Sequence, residues 1–205
     1  MVSEAEIARL LAPFGAVSAG ELQQFRGYLE LILKWNAKFN LAAVREPEQI
    51  VTRHFGEGVF AAGYVLPGAG TLMDLGSGVG IPGVPIAIMR PELMVTLVEA
   101  HGKKAAFLRE VVRSLGLRAT VRAERAELVR ERFDVVALRA VERMGEMLPV
   151  ARSRIREGGS LLVLAGAATT FEAEGVVWEE FAVPGAARSV LRVGTVPRGT
   201  STARD

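Results

Sequence analysis

Apolar residues change their period once along this chain. Up to about residue 70 they recur at helical spacing: Leu22, Phe25, Leu29, Ile32 and Leu33 fall on one helix face, with Trp35 near its end. Ser3 with Glu6, and Ser18 with Glu21, have capping-box spacing and mark two helix starts, separated by Pro13 and Gly15. Pro47 opens a third predicted helix that carries Arg53 and His54, and Gly56 and Gly58 are expected to weaken its far end. Beyond residue 70 the apolar residues come as short runs. Thr71 to Leu75, Met94 to Glu99, Ala119 to Ala123, Phe133 to Leu138 and Ser160 to Ala165 read as strands with helical stretches between them. One helix stops by Arg90-Pro91, and a longer one, Lys103 to Leu115, is capped by Gly116. Such alternation implies parallel strands with helices on both faces. Val176 to Val183 and Ser189 to Val196 are joined only by a turn at Pro184-Gly185 and form an antiparallel pair. The expected fold is α/β and Rossmann-like. It has a mostly parallel seven-stranded sheet (residues 70–198), an antiparallel C-terminal strand, an N-terminal helical extension (1–69) on the same domain, and a flexible tail (199–205).

The most specific chemistry lies behind the first strand. Asp74-Leu75-Gly76-Ser77-Gly78-Val79-Gly80 sets an acid at a strand end ahead of alternating glycines, a loop whose backbone can press against a nucleoside-containing ligand. Shifted by two residues, Gly78-Val79-Gly80-Ile81-Pro82-Gly83 also satisfies the dinucleotide pattern, with Glu99 about where the ribose-binding acid belongs. Charge separates the two. A pyrophosphate wants a helix N-terminus and free N–H donors, whereas S-adenosylmethionine is cationic and has no phosphate. Asp74 suits the cation, and Pro82 and Pro85 remove donors that a phosphate would use.

Composition narrows the remaining classes. The chain has 205 residues, half of them hydrophobic, and no cysteine, which excludes disulfides, thiolate metal sites and a cysteine nucleophile. Two histidines leave little for a metal, and none is expected. No apolar run approaches a membrane span, and Met1-Val2-Ser3-Glu4 lacks the features of a signal peptide, so a cytoplasmic protein is expected. The net charge of +2 and the pI near 9.3 permit an anionic partner.

Ligands of open α/β sheets bind at the carboxyl ends of the strands. The glycine loop, Glu99, Ala126-Glu127 and Arg139 follow four successive strands and converge on one crevice. An ionised Glu99 can accept hydrogen bonds from both ribose hydroxyls. Arg125-Ala126-Glu127 also reads as an ordinary helix start, and Arg139 as a surface cation.

Taken together, Trp35-Asn36 with Asn40-Leu41, Arg53-His54, the turn from Asp74 to Gly83, Lys103-Lys104 with Phe107-Leu108, Arg125-Ala126-Glu127 and Arg139-Ala140 resemble a known family. It is that of the guanine-N7 methyltransferases of bacterial small-subunit (16S) ribosomal RNA, also called glucose-inhibited division protein B. The resemblance runs from about Trp35 to about Gly166. It implies a class I methyltransferase fold, S-adenosyl-L-methionine as cofactor, and ribosomal RNA or a small-subunit precursor as partner of a monomeric enzyme. It also implies that Gly76, Ile81, Ala126, Glu127 and Arg139 meet the cofactor, beside Asp74, Gly78 and Glu99. Arg53, His54 and Asn40 are candidates for substrate positioning; His54 reads equally as a structural histidine, and either Asn36 or Asn40 as a helix cap. Three positions depart from the family: Glu57-Gly58 replaces an Asp-Ser pair, Ala42 a Thr or Ser, and Ala165 a lysine. Without that lysine, RNA binding falls to cations such as Arg53, Lys38 or Arg188. Two other functions stay open: a dinucleotide oxidoreductase, and a non-catalytic ribosome-assembly protein with a vestigial crevice.

Overall fold

The computed structural model describes residues 2–39, 41, 46–139, 144–186 and 188–198. Helix α1 (Glu4–Leu11) starts where the Ser3 hydroxyl accepts the Glu6 N–H, and α2 (Ala19–Asn36) starts on a complete Ser18–Glu21 capping box. A short α3 (Pro47–Gln49) leads through a π-helical turn (Ile50–Phe55) into α4 (Gly56–Ala62). The helix runs through Gly56 and Gly58, the glycines expected to weaken its far end. They permit close approach, since a Cβ at Gly56 would lie 2.6 Å from the Phe14 ring and one at Gly58 2.5 Å from Pro85. Tertiary packing has overridden propensity here.

Strands and helices then alternate: β1 (Thr71–Leu75), α5 (Gly83–Met89), β2 (Met94–Val98), α6 (Gly102–Leu115), β3 (Ala119–Arg122) and, after a 3-10 turn at Ala126–Leu128, β4 (Phe133–Arg139). They are followed by α7 (Met144–Ser153), β5 (Ile155–Gly166), β6 (Val177–Ala182) and β7 (Ser189–Thr195). The seven strands lie in the order β3-β2-β1-β4-β5-β7-β6, parallel from β3 to β5, with β7 antiparallel to both neighbours. Strand order reverses between β1 and β4, so the carboxyl ends of those strands bound a crevice. Strand β5 begins earlier than the sequence predicted. Gly158, at φ 76°, sits in an irregularity that the polar, glycine-rich stretch Arg156–Gly159 disguises as a turn.

Two apolar clusters cover the faces of the sheet. One joins Ile7, Phe25, Tyr28 and Phe55 of the N-terminal helices to Leu72, Ile86, Phe107 and Leu108, while the other packs α7 against Met73, Val136 and Leu161. Tyr28 stacks on Phe55 with ring centroids 4.8 Å apart, and each such buried side chain contributes about 2–3 kcal/mol. The predicted tail, 199–205, lies outside the described residues.

Candidate active site

The glycine turn is wound on its own hydrogen bonds. Ser77 N–H donates to the Val98 carbonyl, Gly80 and Ile81 N–H to that of Ser77, Val84 N–H to that of Gly80, and Ile86 N–H to that of Pro82. Gly83 N–H donates to Asp74 Oδ2 at 3.1 Å. With Pro85 lacking a donor, the first turn of α5 has no N–H to offer a phosphate. On its open side the turn presents Gly76 at φ 68°, where an added Cβ would meet nothing within 4 Å. Gly78 is likewise left-handed, a Cβ there would touch only the Gly76 carbonyl at 3.9 Å, and it donates its N–H to Glu99 Oε2 at 2.8 Å.

The sequence reading of Asp74 needs correction. It is 0% exposed, turned inward onto Gly83 rather than outward toward a ligand's charge. Burial pushes its carboxyl pKa up to about 7, against the lowering effect of Ser77 and the Gly83 N–H, and Oδ1 has no hydrogen-bond partner. Asp74 therefore shapes the loop. Its backbone carbonyl also accepts the Ser77 hydroxyl at 3.0 Å.

Glu99 lies at the mouth, just past β2. Its second oxygen accepts the His101 N–H at 2.7 Å, so the carboxylate ties the glycine turn to the start of α6. Each oxygen retains a lone pair for a hydroxyl. Ile81 is buried in the turn, whose Ile81–Pro82 peptide is cis. Ala126 is buried beyond β3, whereas Glu127 is more exposed and lies 3.6 Å from Arg125.

Arg139, at the end of β4, is not a surface cation. Its Nε donates to Glu57 Oε2 at 2.6 Å, with side chains only 21% and 5% exposed. The sequence reading missed Glu57 as a site residue. The one available signal was that an acid stands there, where the resembled family also has one. His54 is buried beside this pair. Desolvation, then Arg139 and Arg53, depress its pKa to about 4, so it is neutral at physiological pH. Its Nδ1 has no hydrogen-bond partner. Arg53, one residue before it, is exposed, and Asn40 lies outside the described residues. Asn36, the last residue of α2, accepts the Leu41 N–H at 3.1 Å. Ala165 is buried opposite Val190 and brings no cation to the end of β5, while Lys38 and Arg188 are exposed.

The helical extension reaches this site directly. The Tyr28 hydroxyl of α2 donates to the Val79 carbonyl inside the glycine turn. Among the described residues no cluster of three or more metal-ligating side chains occurs, and no helix is long and apolar enough to cross a membrane.

A family model described as rRNA small subunit methyltransferase G matches residues 21–188. Ribosomal RNA small subunit methyltransferase G of Xanthomonas campestris pv. campestris (strain B100) is 46% identical over 142 residues, covering 68% of this chain. The protein of the same name from Stenotrophomonas maltophilia (strain K279a) is 44% identical over a stretch of the same length. These matches span 66% of the relatives' own length. Among solved structures, M. jannaschii TYW2 in complex with AdoMet superposes with TM-score 0.61 at 14% identity, covering 79% of this chain and 80% of that one. A predicted O-methyltransferase from Agrobacterium tumefaciens gives 0.53 at 19% identity, covering 68% and 79%. Likenesses at such identity speak to the fold.

Proposed function

The chain belongs to the rRNA small subunit methyltransferase G family, and from that premise we propose that it transfers a methyl group from S-adenosylmethionine to N7 of a guanine in 16S ribosomal RNA. The observation that carries this reading is the glycine turn. The N–H groups of Ser77, Gly78, Gly80, Ile81, Gly83 and Val84 are spent internally, a Cβ at Gly76 would meet nothing within 4 Å, and its edge is the Glu99 carboxylate. Such a cradle fits a cationic nucleoside, and the first turn of α5 offers a diphosphate no free N–H.

When bound, the cofactor supplies an electrophilic methyl on a sulfonium. Guanine N7 brings an in-plane lone pair and no proton, so the site needs no general base. The protein's own work is positional. Glu99 offers its remaining lone pairs to ribose hydroxyls, Gly76 and Gly78 allow backbone approach, and Tyr28 holds the turn from behind. Ile81 and Ala126 supply apolar walls. Glu57 fixes Arg139 at the end of β4, and neutral His54 adds bulk without charge. Because N7 of A-form RNA faces a groove too deep and narrow for side chains, the target guanine is unstacked or in a loop.

Segment 1–69 is best taken as an extension packed on the 70–198 unit rather than a separate domain, since it supplies Tyr28, His54 and Glu57. We place the protein in the cytoplasm as a monomer acting on ribosomal RNA or a small-subunit precursor, without a metal. The test is transfer of labelled methyl to 16S RNA lacking the modification, alongside thermal shifts. Transfer with stabilisation by S-adenosylhomocysteine and not NAD supports the reading. Stabilisation by NAD would overturn it, and cofactor binding with no transfer would favour the assembly role.

A further inference from the structure

A cationic surface stands beside the site but outside the cofactor crevice. Where the end of α2 meets the start of α6, a cavity of about 330 Å³ is lined by Lys38, Phe39, Leu41, His101, Lys103 and Lys104. A second hollow of about 220 Å³ lies against Lys34, Trp35, Lys38, Phe39 and Glu110. Phe39, 38% exposed, lines both. The two hollows differ in charge. In the second, Glu110 is occupied by Lys34 at 3.4 Å and by the Trp35 indole N–H at 2.9 Å. Among the described residues, no carboxylate pairs with Lys38, Lys103 or Lys104. The Lys103 ammonium lies 5.2 Å from the centroid of the Phe39 ring.

The cavity borders the site through His101. His101, which caps the start of α6, gives its N–H to the same Glu99 carboxylate that takes the Gly78 N–H. One side chain therefore stands between the glycine turn and the basic hollow. Three ammonium groups without a carboxylate partner, around a partly exposed aromatic ring, provide point charges for phosphates and a flat surface for a base. An acidic protein would use the charges but not the ring. A small anion would need neither the ring nor a second hollow.

Building on the methyltransferase reading, we propose that this basic hollow holds the single-stranded RNA next to the target guanine. Lys38, Lys103 and Lys104 take backbone phosphates, and Phe39 stacks a neighbouring base. The cations that serve RNA here thus come from α2 and α6, on the far side of Glu99 from β5 and Ala165.

The test uses the full chain and a fluorescently labelled single-stranded 16S RNA fragment, with anisotropy read across a KCl series, so it does not depend on turnover. The Lys103→Gln/Lys104→Gln variant should weaken RNA binding at least tenfold at moderate salt. The slope of log K against log salt should flatten by about 0.7 for each phosphate that is no longer neutralised. Phe39→Ala should weaken binding severalfold with little change in slope, and Phe39→Trp should restore it. Arg109→Gln/Arg113→Gln, on exposed residues further along α6, removes the same two units of charge and should leave RNA affinity within twofold. S-adenosylhomocysteine affinity should be unchanged in every variant. Wild-type affinity and slope in the double-lysine variant would overturn the proposal even if methyl transfer proceeds. Loss of transfer in the wild type, with RNA binding sensitive to these lysines, would instead overturn the methyltransferase reading and leave the docking surface standing.

Discussion

The two sides of Glu99 are built on opposite rules. Toward the sheet, the glycine turn ties most of its polar groups to the protein itself: Asp74 Oδ2 on Gly83, Tyr28 on Val79, and Ser77 on both Asp74 and Val98. Toward α2, the lysines of the rim face solvent without carboxylate partners. A small ligand of fixed shape rewards a frame set before binding, because little ordering remains to be done on arrival. A flexible polyanion rewards charges that stay free until it comes, since their gain is released counterions.

The sharpest way to break the inner frame is Arg139→Ala. It would leave the Glu57 carboxylate buried and unpaired, with an expected destabilisation of about 3–5 kcal/mol. Denaturant unfolding would measure it, and Glu57→Gln combined with Arg139→Gln should recover most of the loss. A surface-like loss below about 1 kcal/mol would mean that the pair is not holding the end of β4.

Next in size is a pair of opposed pH effects. With Asp74 raised from 3.8 to about 7, the folded protein keeps a proton that the unfolded chain has lost. Its stabilisation is complete at low pH and drains as pH climbs through that interval. His54, lowered from 6.5 to about 4, acts the other way: the unfolded chain takes up a proton that the folded site refuses, so stability is lost as pH falls. Each slope is about 1.4 kcal/mol per pH unit, and where they overlap they offset. Asp74→Asn should therefore leave stability rising from pH 4 to 6.5 by ~3 kcal/mol, and His54→Gln should leave it falling. Parallel profiles for wild type and both variants would remove this opposition.

Glu99→Gln should cost about 2 kcal/mol of cofactor affinity by calorimetry, because one of its two N–H partners and the charge are lost together. RNA affinity should change far less. Equal losses would mean that the acid does not divide the two sides. The smallest change, Tyr28→Phe, removes one donor from the Val79 carbonyl and should weaken the cofactor by ~1 kcal/mol. An unaffected affinity there would show that the turn stands without its prop.

Much of this frame could be read from the chain. The Ser18–Glu21 box, the cap at Gly116 and the extent of β1 follow from local rules that act within a few residues. The strand ends that converge on the crevice follow from α/β topology. What escaped were pairings across sequence. Nothing local tells that Glu57 meets Arg139, 82 residues on, or that Asp74 faces Gly83 and not solvent. The packing role of Gly56 and Gly58 escaped for the same reason, because Phe14 and Pro85, which fill the space their side chains would take, lie on other segments.

Helix α2 is a rod about 27 Å long at 1.5 Å per residue, and it braces the protein at two points. Tyr28 steadies the turn near its middle, and Trp35 clamps its last turn to α6 beside the rim. A substitution that rotated or frayed this rod would loosen two binding surfaces at once, so natural variation in the helix is constrained by both ligands even at positions that touch neither.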